Sequence, residues 1–223
     1  RWLKETETGY GQVKPILTPR YTPTCTDACM EGLQVLSEKY QVPVQSHLSE
    51  GLDEIEWVKQ LKPGLSCYGE AYDMYDLLGS RQPAVMAHVV HPNEAEYELI
   101  KHRNVLVAHC PQSNTNAANG VAPILQMVHD GIRVGLGTDM AGGYNLNLLR
   151  TMTDAIQSSK LRWCFTERNG DPFAKKNFLT VANAFYLATK GGGSFFGKVG
   201  SFEPDYEFDA VVLDDAALAD FVE

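Results

Sequence analysis

The sequence has no long hydrophobic run, no cluster of basic residues and no paired set of cysteines. Its apolar runs are a few residues long, whereas a transmembrane helix needs about 20, so we expect no membrane association. The formal net charge of −9, without a Lys- or Arg-rich run, argues against a nucleic-acid partner. The five cysteines are odd in number and scattered, which favours reduced thiols in a cytoplasmic protein over a disulfide framework.

The chain starts at Arg1 rather than at a methionine, inside a stretch with an amphipathic pattern. We therefore expect a fragment of a longer protein. The 223 residues, 44% of them hydrophobic, suffice for the core of one large domain or of two small ones.

Short apolar runs alternate with helical patterns along most of the chain. The runs that predict strands are residues 14–20, 42–47, 84–88, 104–109 and 133–138. The patterns that predict helices are residues 27–40, 52–61, 94–103, 124–129, 146–161 and 179–188, and residues 110–120 form a predicted polar loop. This alternation predicts an α/β fold with a parallel sheet. A (β/α)8 barrel has eight strands in about 250 residues, so the five predicted strands indicate an open sheet or the last five strands of a partial (β/α)8 TIM-type barrel.

The composition changes after residue 196. Residues 197–213 combine turn residues with a short apolar run that ends at Leu213, a pattern that predicts a β element. We therefore divide the chain into a partial barrel, residues 1–196, and an incomplete small β domain that begins in residues 197–223.

Polar side chains follow the predicted strands at the points where those strands end: Arg20, His47, His88, His109 and Asp139. In barrels and open α/β sheets the carboxyl ends of the strands meet at one edge, where the active site lies. Packing does not require a polar residue at each of these positions. The pattern therefore predicts a metal-dependent hydrolase with its site at the strand ends.

The pair His47 and Glu50 allows two interpretations. Neutral imidazole is a good zinc ligand, and a carboxylic acid just past the strand end can act as general acid and base. Alternatively, His47 is a buried histidine bonded to the backbone, and Glu50 caps the next helix. A single spacing of this kind is a weak motif and leaves both interpretations open.

The remaining strand-end residues also allow more than one role. Asp139 is either a helix N-cap or a metal ligand that takes a proton from a zinc-bound water, whose pKa falls to about 7. For His88 a water-facing base is favoured over a ligand or a core histidine. For His109 we favour a structural role, with hydrogen bonds to the loop that follows it. Arg20 is either a surface ion-pair partner or a contact for a carbonyl or anionic substrate.

Taken together, several segments resemble guanine deaminases, which are zinc enzymes of the amidohydrolase superfamily. The segments are Lys14–Tyr21, Val44–Glu50, Val85–His88, Val107–Asn114 and Gly135–Gly143. The resemblance extends from Val13 to Leu213, and the pieces Thr-Pro-Arg-Tyr and Gln-Ser-His-Leu-Ser-Glu are its most specific parts. The Thr-Asp strand end and Ala-His-Cys-Pro identify the superfamily better than the substrate.

The resemblance implies a barrel enzyme that hydrolyses guanine to xanthine and ammonia. It implies zinc held by His47 and Asp139, with His88 and Asp139 orienting and deprotonating the attacking water and Glu50 shuttling its proton. It also implies a homodimer. The purine-binding residues that it implies are Arg20, Tyr21, His47, Glu50, His88 and Asp139.

The sequence departs from the family in one respect, because guanine deaminases carry a His-x-His pair on the first barrel strand and none occurs here. Catalytic zinc sites normally keep three or more protein ligands. We therefore expect two further histidine ligands outside this chain, and little or no activity from the chain alone. Two other hypotheses remain: an amidohydrolase acting on an amine or chloride of another heterocycle, and an inactive structural remnant.

Overall fold

The fold is built on one parallel sheet, seen in a computed structural model that describes residues 2–9 and 13–214. Its four strands are paired in chain order: β1 (Val44–Leu48), β2 (Ala84–His88), β3 (Val105–His109) and β4 (Arg133–Leu136). The register sets Leu48 opposite His88 and His109 opposite Leu136, so the carboxyl ends of the strands lie at the same edge. This confirms the predicted parallel α/β sheet of a partial barrel.

Helices connect the strands. The α-helices are α1 (Trp2–Gly9), α2 (Asp27–Tyr40), α3 (Leu52–Leu61), α4 (Glu70–Asp73), α5 (Glu94–His102), α6 (Pro111–Asn116), α7 (Ile124–His129), α8 (Leu148–Arg162) and α9 (Val181–Tyr186). A 3-10 turn covers Thr22–Thr24, and π-helical turns cover Trp163–Glu167 and Leu187–Gly191. No helix in the described part of the chain is long and apolar enough to span a bilayer.

Side-chain caps fix where the longer helices begin. Thr26 accepts a hydrogen bond from the Cys29 amide ahead of α2, and Asn93 accepts one from Glu96 ahead of α5. Asn147 caps α8 in the same way. Because these caps satisfy backbone donors that the helix leaves free, the predicted starts of α2 and α5 agree with the structure.

The core lies between the sheet and the helices. Alternate residues of β1 and β2 are buried, and the residues between them are half-buried, so both faces of the sheet are covered. Met86, Val107 and Val134 are at most 2% exposed and continue this core across the sheet.

The predicted strand 14–20 is wrong as a full strand. The segment forms an isolated parallel bridge between Leu17 and Val44, with hydrogen bonds from Leu17 N to Pro43 O (2.9 Å) and from Gln45 N to Leu17 O (2.8 Å). Pro15 and Pro19 have no amide hydrogen to donate on either side of the bridge, which explains why the ladder does not extend. The segment still occupies the edge of the sheet beside β1.

One further prediction needs correction. The predicted loop 110–120 contains α6, because Pro111 at the first helical position has a φ already suited to a helix. The described residues 197–214 contain no strand, and the division into a barrel and a small β domain stays a prediction. Residues 215–223 of the predicted second domain lie outside the described residues.

Gly135 in β4 lies against Gly192, and an alanine there would bring its Cβ to 2.7 Å from the Gly192 Cα. The atoms that this Cβ would meet belong to the Gly192 backbone, which cannot rotate aside as a side chain can. Gly135→Ala is therefore expected to lower the free energy of unfolding by about 1–3 kcal/mol. The control is Gly32→Ala on α2, where a Cβ meets nothing within 4 Å and helix propensity favours alanine. Urea unfolding followed by circular dichroism measures both. Equal stability of the two variants would contradict the close packing of β4.

Candidate active site

The structure brings together most of the strand-end residues singled out by the sequence. The rings of His47 and His88 stack with centroids 5.3 Å apart and an interplanar angle of 14°. His88 Nε2 lies 3.5 Å from Glu50 Oε2 and 3.9 Å from Asp139 Oδ2. His88 is 1% exposed, while Glu50 and Asp139 keep part of their side chains open to solvent. A buried imidazole therefore faces two carboxylates at the sheet edge.

The backbone turns sharply at these strand ends. Ser49, His88, Val89 and Asp139 have φ values of 46°, 75°, 45° and 46°, in the left-handed region. A β-branched residue such as Val89 is rarely found there, and such strain clusters at functional sites. Ser49 O accepts hydrogen bonds from the amides of Val90 (3.0 Å) and His91 (3.1 Å), which hold the ends of β1 and β2 together.

A cleft of about 250 Å³ lies beside His47. Its lining residues are Arg20, Tyr21, His47, Glu50, Gly51, Asp53, Glu54 and Asn119. The Arg20 guanidinium lies 4.9 Å from the centre of the Tyr21 ring, and the Tyr21 ring meets Trp57 edge-on at 6.3 Å. The cleft thus combines an exposed cation and an aromatic face with carboxylates, a set that suits a flat, polar ring.

The tautomer of His47 follows from its partner. His47 Nδ1 lies 2.5 Å from the carbonyl oxygen of Arg20, which can only accept a hydrogen bond. Nδ1 therefore carries the proton in the neutral ring, and the lone pair is on Nε2. A second bond, from Tyr72 Oη to His47 O (2.8 Å), fixes the backbone of the same residue.

Two stacked tyrosines, Tyr68 and Tyr72, form hydrogen bonds to residues that line the cleft. Tyr68 and Tyr72 have ring centroids 5.6 Å apart, and Tyr68 Oη donates to Glu54 Oε1 at 2.7 Å. Ser46 Oγ lies 2.8 Å from Tyr72 Oη and 2.8 Å from Pro19 O. Burial raises the pKa of Tyr72 to about 12, so its hydroxyl remains a donor at neutral pH. The 65–82 segment thereby supports the strand that carries His47.

Glu96 on α5 has a buried side chain that is 1% exposed. Its Oε1 accepts a hydrogen bond from Gly69 N at 2.8 Å. Burial raises its pKa to about 7, above the value of about 4.3 expected in the unfolded chain. Between these two pH values the Glu96 carboxyl is therefore protonated in the folded protein and ionised in the unfolded chain. The stability contributed by this proton is complete at low pH and is lost as the pH rises to about 7.

Glu96→Gln is therefore expected to remove a decline in stability between about pH 4.5 and 7, and to stabilise the protein at about pH 8 by roughly 2–4 kcal/mol. The amide oxygen of glutamine can still accept from Gly69 N. The control is Glu98→Gln on the same helix, where Glu98 is half exposed beside Lys101. Urea unfolding at a series of pH values provides the measurement, and an unchanged pH slope in Glu96→Gln would contradict the assignment.

Cys110 belongs to the site although the sequence did not single it out. Potential ligand atoms of His88, Cys110 and Asp139 lie within 4.8 Å of one another. Burial, followed by the negative charges of Asp139 and Glu50, raises the pKa of Cys110 to about 12, so the thiol stays protonated. Its position directly after His109 is the sequence signal that could have identified it.

Hydrogen bonds are predicted from His109 to the loop that follows it, and within the described residues the Nδ1 nitrogen makes none. That nitrogen is buried. Burial, and then the charge of His88, lowers the pKa of His109 to about 3. The ring is therefore neutral at physiological pH and contributes no charge to the site.

The donor set fits a metal ion. His47 presents an unprotonated Nε2, His88 directs Nε2 at the same group of carboxylates, and Asp139 is a partly exposed carboxylate. Imidazole nitrogen and carboxylate oxygen are common ligands of zinc and of other divalent transition metals. His47 lies outside the compact group formed by His88, Cys110 and Asp139.

Comparison with known proteins adds a family to this geometry. The model of the amidohydrolase family matches residues 2–223. A guanine deaminase of Dictyostelium discoideum is 40% identical over 205 residues, which cover 91% of this chain and 44% of that protein. A probable guanine deaminase of Schizosaccharomyces pombe is 38% identical over 205 residues, 91% of this chain and 37% of the relative.

Among solved structures, guanine deaminase from C. acetobutylicum with guanine bound in its active site superposes with a TM-score of 0.87. It is 45% identical to this chain, and the match covers 98% of this chain and 52% of that one. The chain thus spans less than half the length of the two curated relatives and about half of the solved enzyme.

Proposed function

The chain belongs to the amidohydrolase family, and on that basis we propose that it contributes the active site of a guanine deaminase, which converts guanine and water to xanthine and ammonia. The arrangement at His88 carries the proposal. Its Nε2 faces both Glu50 and Asp139 beside the cleft that Arg20 and Tyr21 line. The identity of 45% to an enzyme solved with guanine supports guanine over other heterocycles.

We propose zinc as the metal, with His47 and Asp139 as its ligands in this chain. When bound, zinc acidifies a water molecule so that it can attack at neutral pH. The sequence contains no His-x-His pair, and we propose that two further histidine ligands come from outside the chain. Purified on its own, the chain is then expected to show little or no guanine deamination, and a rate near that of related enzymes would contradict the ligand set.

The proton transfers are assigned to residues whose positions suit them. His88 and Asp139 take a proton from the attacking water, and Glu50 carries that proton to the purine ring. Glu50 then moves the second proton, from the hydroxyl group newly bonded to C2, to the departing 2-amino group. Asn119 Nδ2 donates to Glu50 Oε1 at 2.9 Å and leaves Oε2 directed at His88. Water adds at C2 of guanine and the 2-amino group leaves as ammonia, so atoms and charge balance.

Substrate binding is assigned to the cleft. We propose that the exposed Arg20 guanidinium donates to the oxo group of guanine and that the Tyr21 ring packs against the purine. His47 and Glu50 line the same cleft, and we propose that His88 and Asp139, which lie beside Glu50 and His88 respectively, contact the reacting end of the purine. Arg20 O accepts a hydrogen bond from His47 Nδ1. This bond connects the segment that carries Arg20, proposed to bind substrate, to His47, a proposed metal ligand.

The wider setting is also a proposal. All the cysteines in the described part of the chain are free thiols, which supports a cytoplasmic enzyme. We propose a homodimer, and a small β domain that begins after residue 196. Neither nucleic acid nor a membrane has a part in this function.

A substrate panel tests the proposal. The protein used is the full reading-frame product, meaning the translation of the complete reading frame that contains this chain. With zinc supplied, we expect guanine to give xanthine and ammonia, while adenosine, cytosine and a chlorotriazine react far more slowly. Turnover of one of these other heterocycles without turnover of guanine would replace the proposed substrate, and no turnover of any of them would favour an inactive protein.

A further inference from the structure

We propose that Asn114 is a positioning residue that fixes the tautomer and the orientation of His88, an inference that rests on the proposed function. Asn114 Oδ1 lies 2.8 Å from His88 Nδ1, and both side chains are 1% exposed. The two residues are 26 positions apart in sequence and come from different elements, α6 and β2. Their contact therefore depends on the folded sheet.

Helix α6 brings Asn114 to this place. Pro111 starts the helix directly after β3, and the Asn114 amide donates to Cys110 O at 3.1 Å in the first turn. This short turn sets the Asn114 side chain beside the end of β2. Asn119 N donates a hydrogen bond to Asn114 O at 2.9 Å, which fixes the backbone on the C-terminal side of Asn114.

The proton on His88 follows from this contact. An amide oxygen only accepts hydrogen bonds, so Nδ1 of His88 must carry the hydrogen. A neutral imidazole has one such hydrogen, and Nε2 is left with its lone pair. Nε2 is also the atom that faces Glu50 at 3.5 Å and Asp139 at 3.9 Å. The lone pair that can accept a proton from water thus points into the site.

The opposite tautomer is disfavoured by the same geometry. With the hydrogen on Nε2, the lone pair of Nδ1 would face the lone pairs of Asn114 Oδ1, and both side chains are buried. A buried acceptor left without a donor is destabilising. Asn114 therefore selects between two forms of His88, only one of which can act as a base at the carboxylates.

A structural role alone leaves part of Asn114 unexplained. Its Nδ2 is buried and has no hydrogen-bond partner within the described residues. A buried side-chain amide whose oxygen is hydrogen-bonded but whose NH₂ group is not lowers the stability of the fold. An apolar residue of similar size would avoid that cost. Among the described residues, the side-chain contact that justifies an amide at this position is the bond to His88 Nδ1.

Histidine ¹⁵N NMR of the chain without metal tests the tautomer directly. Asn114→Leu removes the acceptor at similar volume, Asn114→Asp keeps an acceptor, and His88→Gln identifies the His88 signals. Thr115→Val is the matched control, because it removes only the bond from Thr115 Oγ1 to Pro111 O (2.8 Å) within the same helix. In a neutral imidazole ring the protonated and the unprotonated nitrogen are distinguished by their ¹⁵N chemical shifts.

We expect a protonated Nδ1 at His88 in the wild type, in Thr115→Val and in Asn114→Asp, and a shift towards protonated Nε2 in Asn114→Leu. In the full reading-frame product, Asn114→Leu is expected to lower kcat by about 10–100-fold with little change in KM. Asn114→Asp should recover most of that loss. A purely packing role would alter stability without moving the tautomer and would not be rescued by aspartate.

Protonated Nε2 at His88 in the wild type would overturn the proposal, even if Asn114→Leu fails to fold. A folded Asn114→Leu variant with an unchanged His88 signal would also overturn it. The spectrum needs no substrate, so it remains valid if another heterocycle proves to be the substrate. Conversely, normal guanine turnover with the wrong tautomer would reject only the role of Asn114.

Discussion

Glu50→Gln is expected to lower kcat of the full reading-frame product on guanine by about 10²–10⁴-fold, because a glutamine cannot carry a proton between water and substrate. The substituted glutamine keeps the size of the side chain and can still accept from Asn119 Nδ2 through its amide oxygen. The effect should therefore fall on kcat rather than on folding or zinc content. Xanthine formation in a continuous absorbance assay measures it.

The matched control for this variant is Glu56→Gln on the helix that follows Glu50 in the chain. Glu56 is exposed and lies 3.8 Å from Lys59 on α3, away from the lining of the cleft. Its kcat should stay near the wild-type value. If Glu50→Gln behaved like Glu56→Gln, the proton transfer would have to be assigned to another group.

Asp139→Asn is expected to weaken zinc binding by more than about 100-fold, since even the partners of metal ligands contribute 10–100-fold. Activity should fall with the metal content. Asparagine fits the turn, because it tolerates the left-handed φ of 46° at this position. Gly142 leaves room for the side chain, where a Cβ would lie 2.9 Å from Asp139 Oδ2. The number of zinc ions per protein molecule is measured after dialysis. This number distinguishes a variant that has lost its metal from one that keeps the metal and has lost only the base.

Three outcomes of that measurement differ in meaning. Loss of both zinc and activity agrees with a ligand that also acts as a base. Full zinc occupancy with activity lost would leave Asp139 as a base only, and full occupancy with full activity would remove it from the site. Asp130→Asn is the control, because that carboxylate bonds to Tyr97 and Gln126 rather than to any residue of the site.

Much of the sheet could be predicted because its signals are local. The runs ending at His88 and His109 are apolar over their whole length, as buried parallel strands require, and the predicted and observed bounds of β2 agree. Capping residues such as Asn93 mark helix starts through contacts three residues away. Polar residues at strand ends then indicated the main features of the site.

The errors arise where the outcome depends on partners distant in sequence. The segment around Leu17 looked like a strand, but its prolines limit it to a bridge that only the edge of β1 can complete. Helix α6 has a polar composition typical of loops, and its helical state depends on Pro111 and on packing against α8.

Contacts within the site were the least predictable. The bond between His88 and Asn114 spans 26 residues, and the approach of Cys110 to Asp139 depends on the register of β3 with β4. Sequence spacing identified which strands end in reactive groups. It could not show which atoms of those groups face one another, because that is fixed by the turns with positive φ at His88 and Asp139.

The strand-end site is proposed to bind guanine for attack at C2, and a crystal structure of the Glu50→Gln full reading-frame product with guanine shows directly whether it does. We predict guanine in the cleft, with its oxo group on Arg20, its ring against Tyr21 and C2 directed at His88 and Asp139. Guanine bound elsewhere, or seated in the cleft with C2 directed away from His88 and Asp139, would refute this assignment of the site.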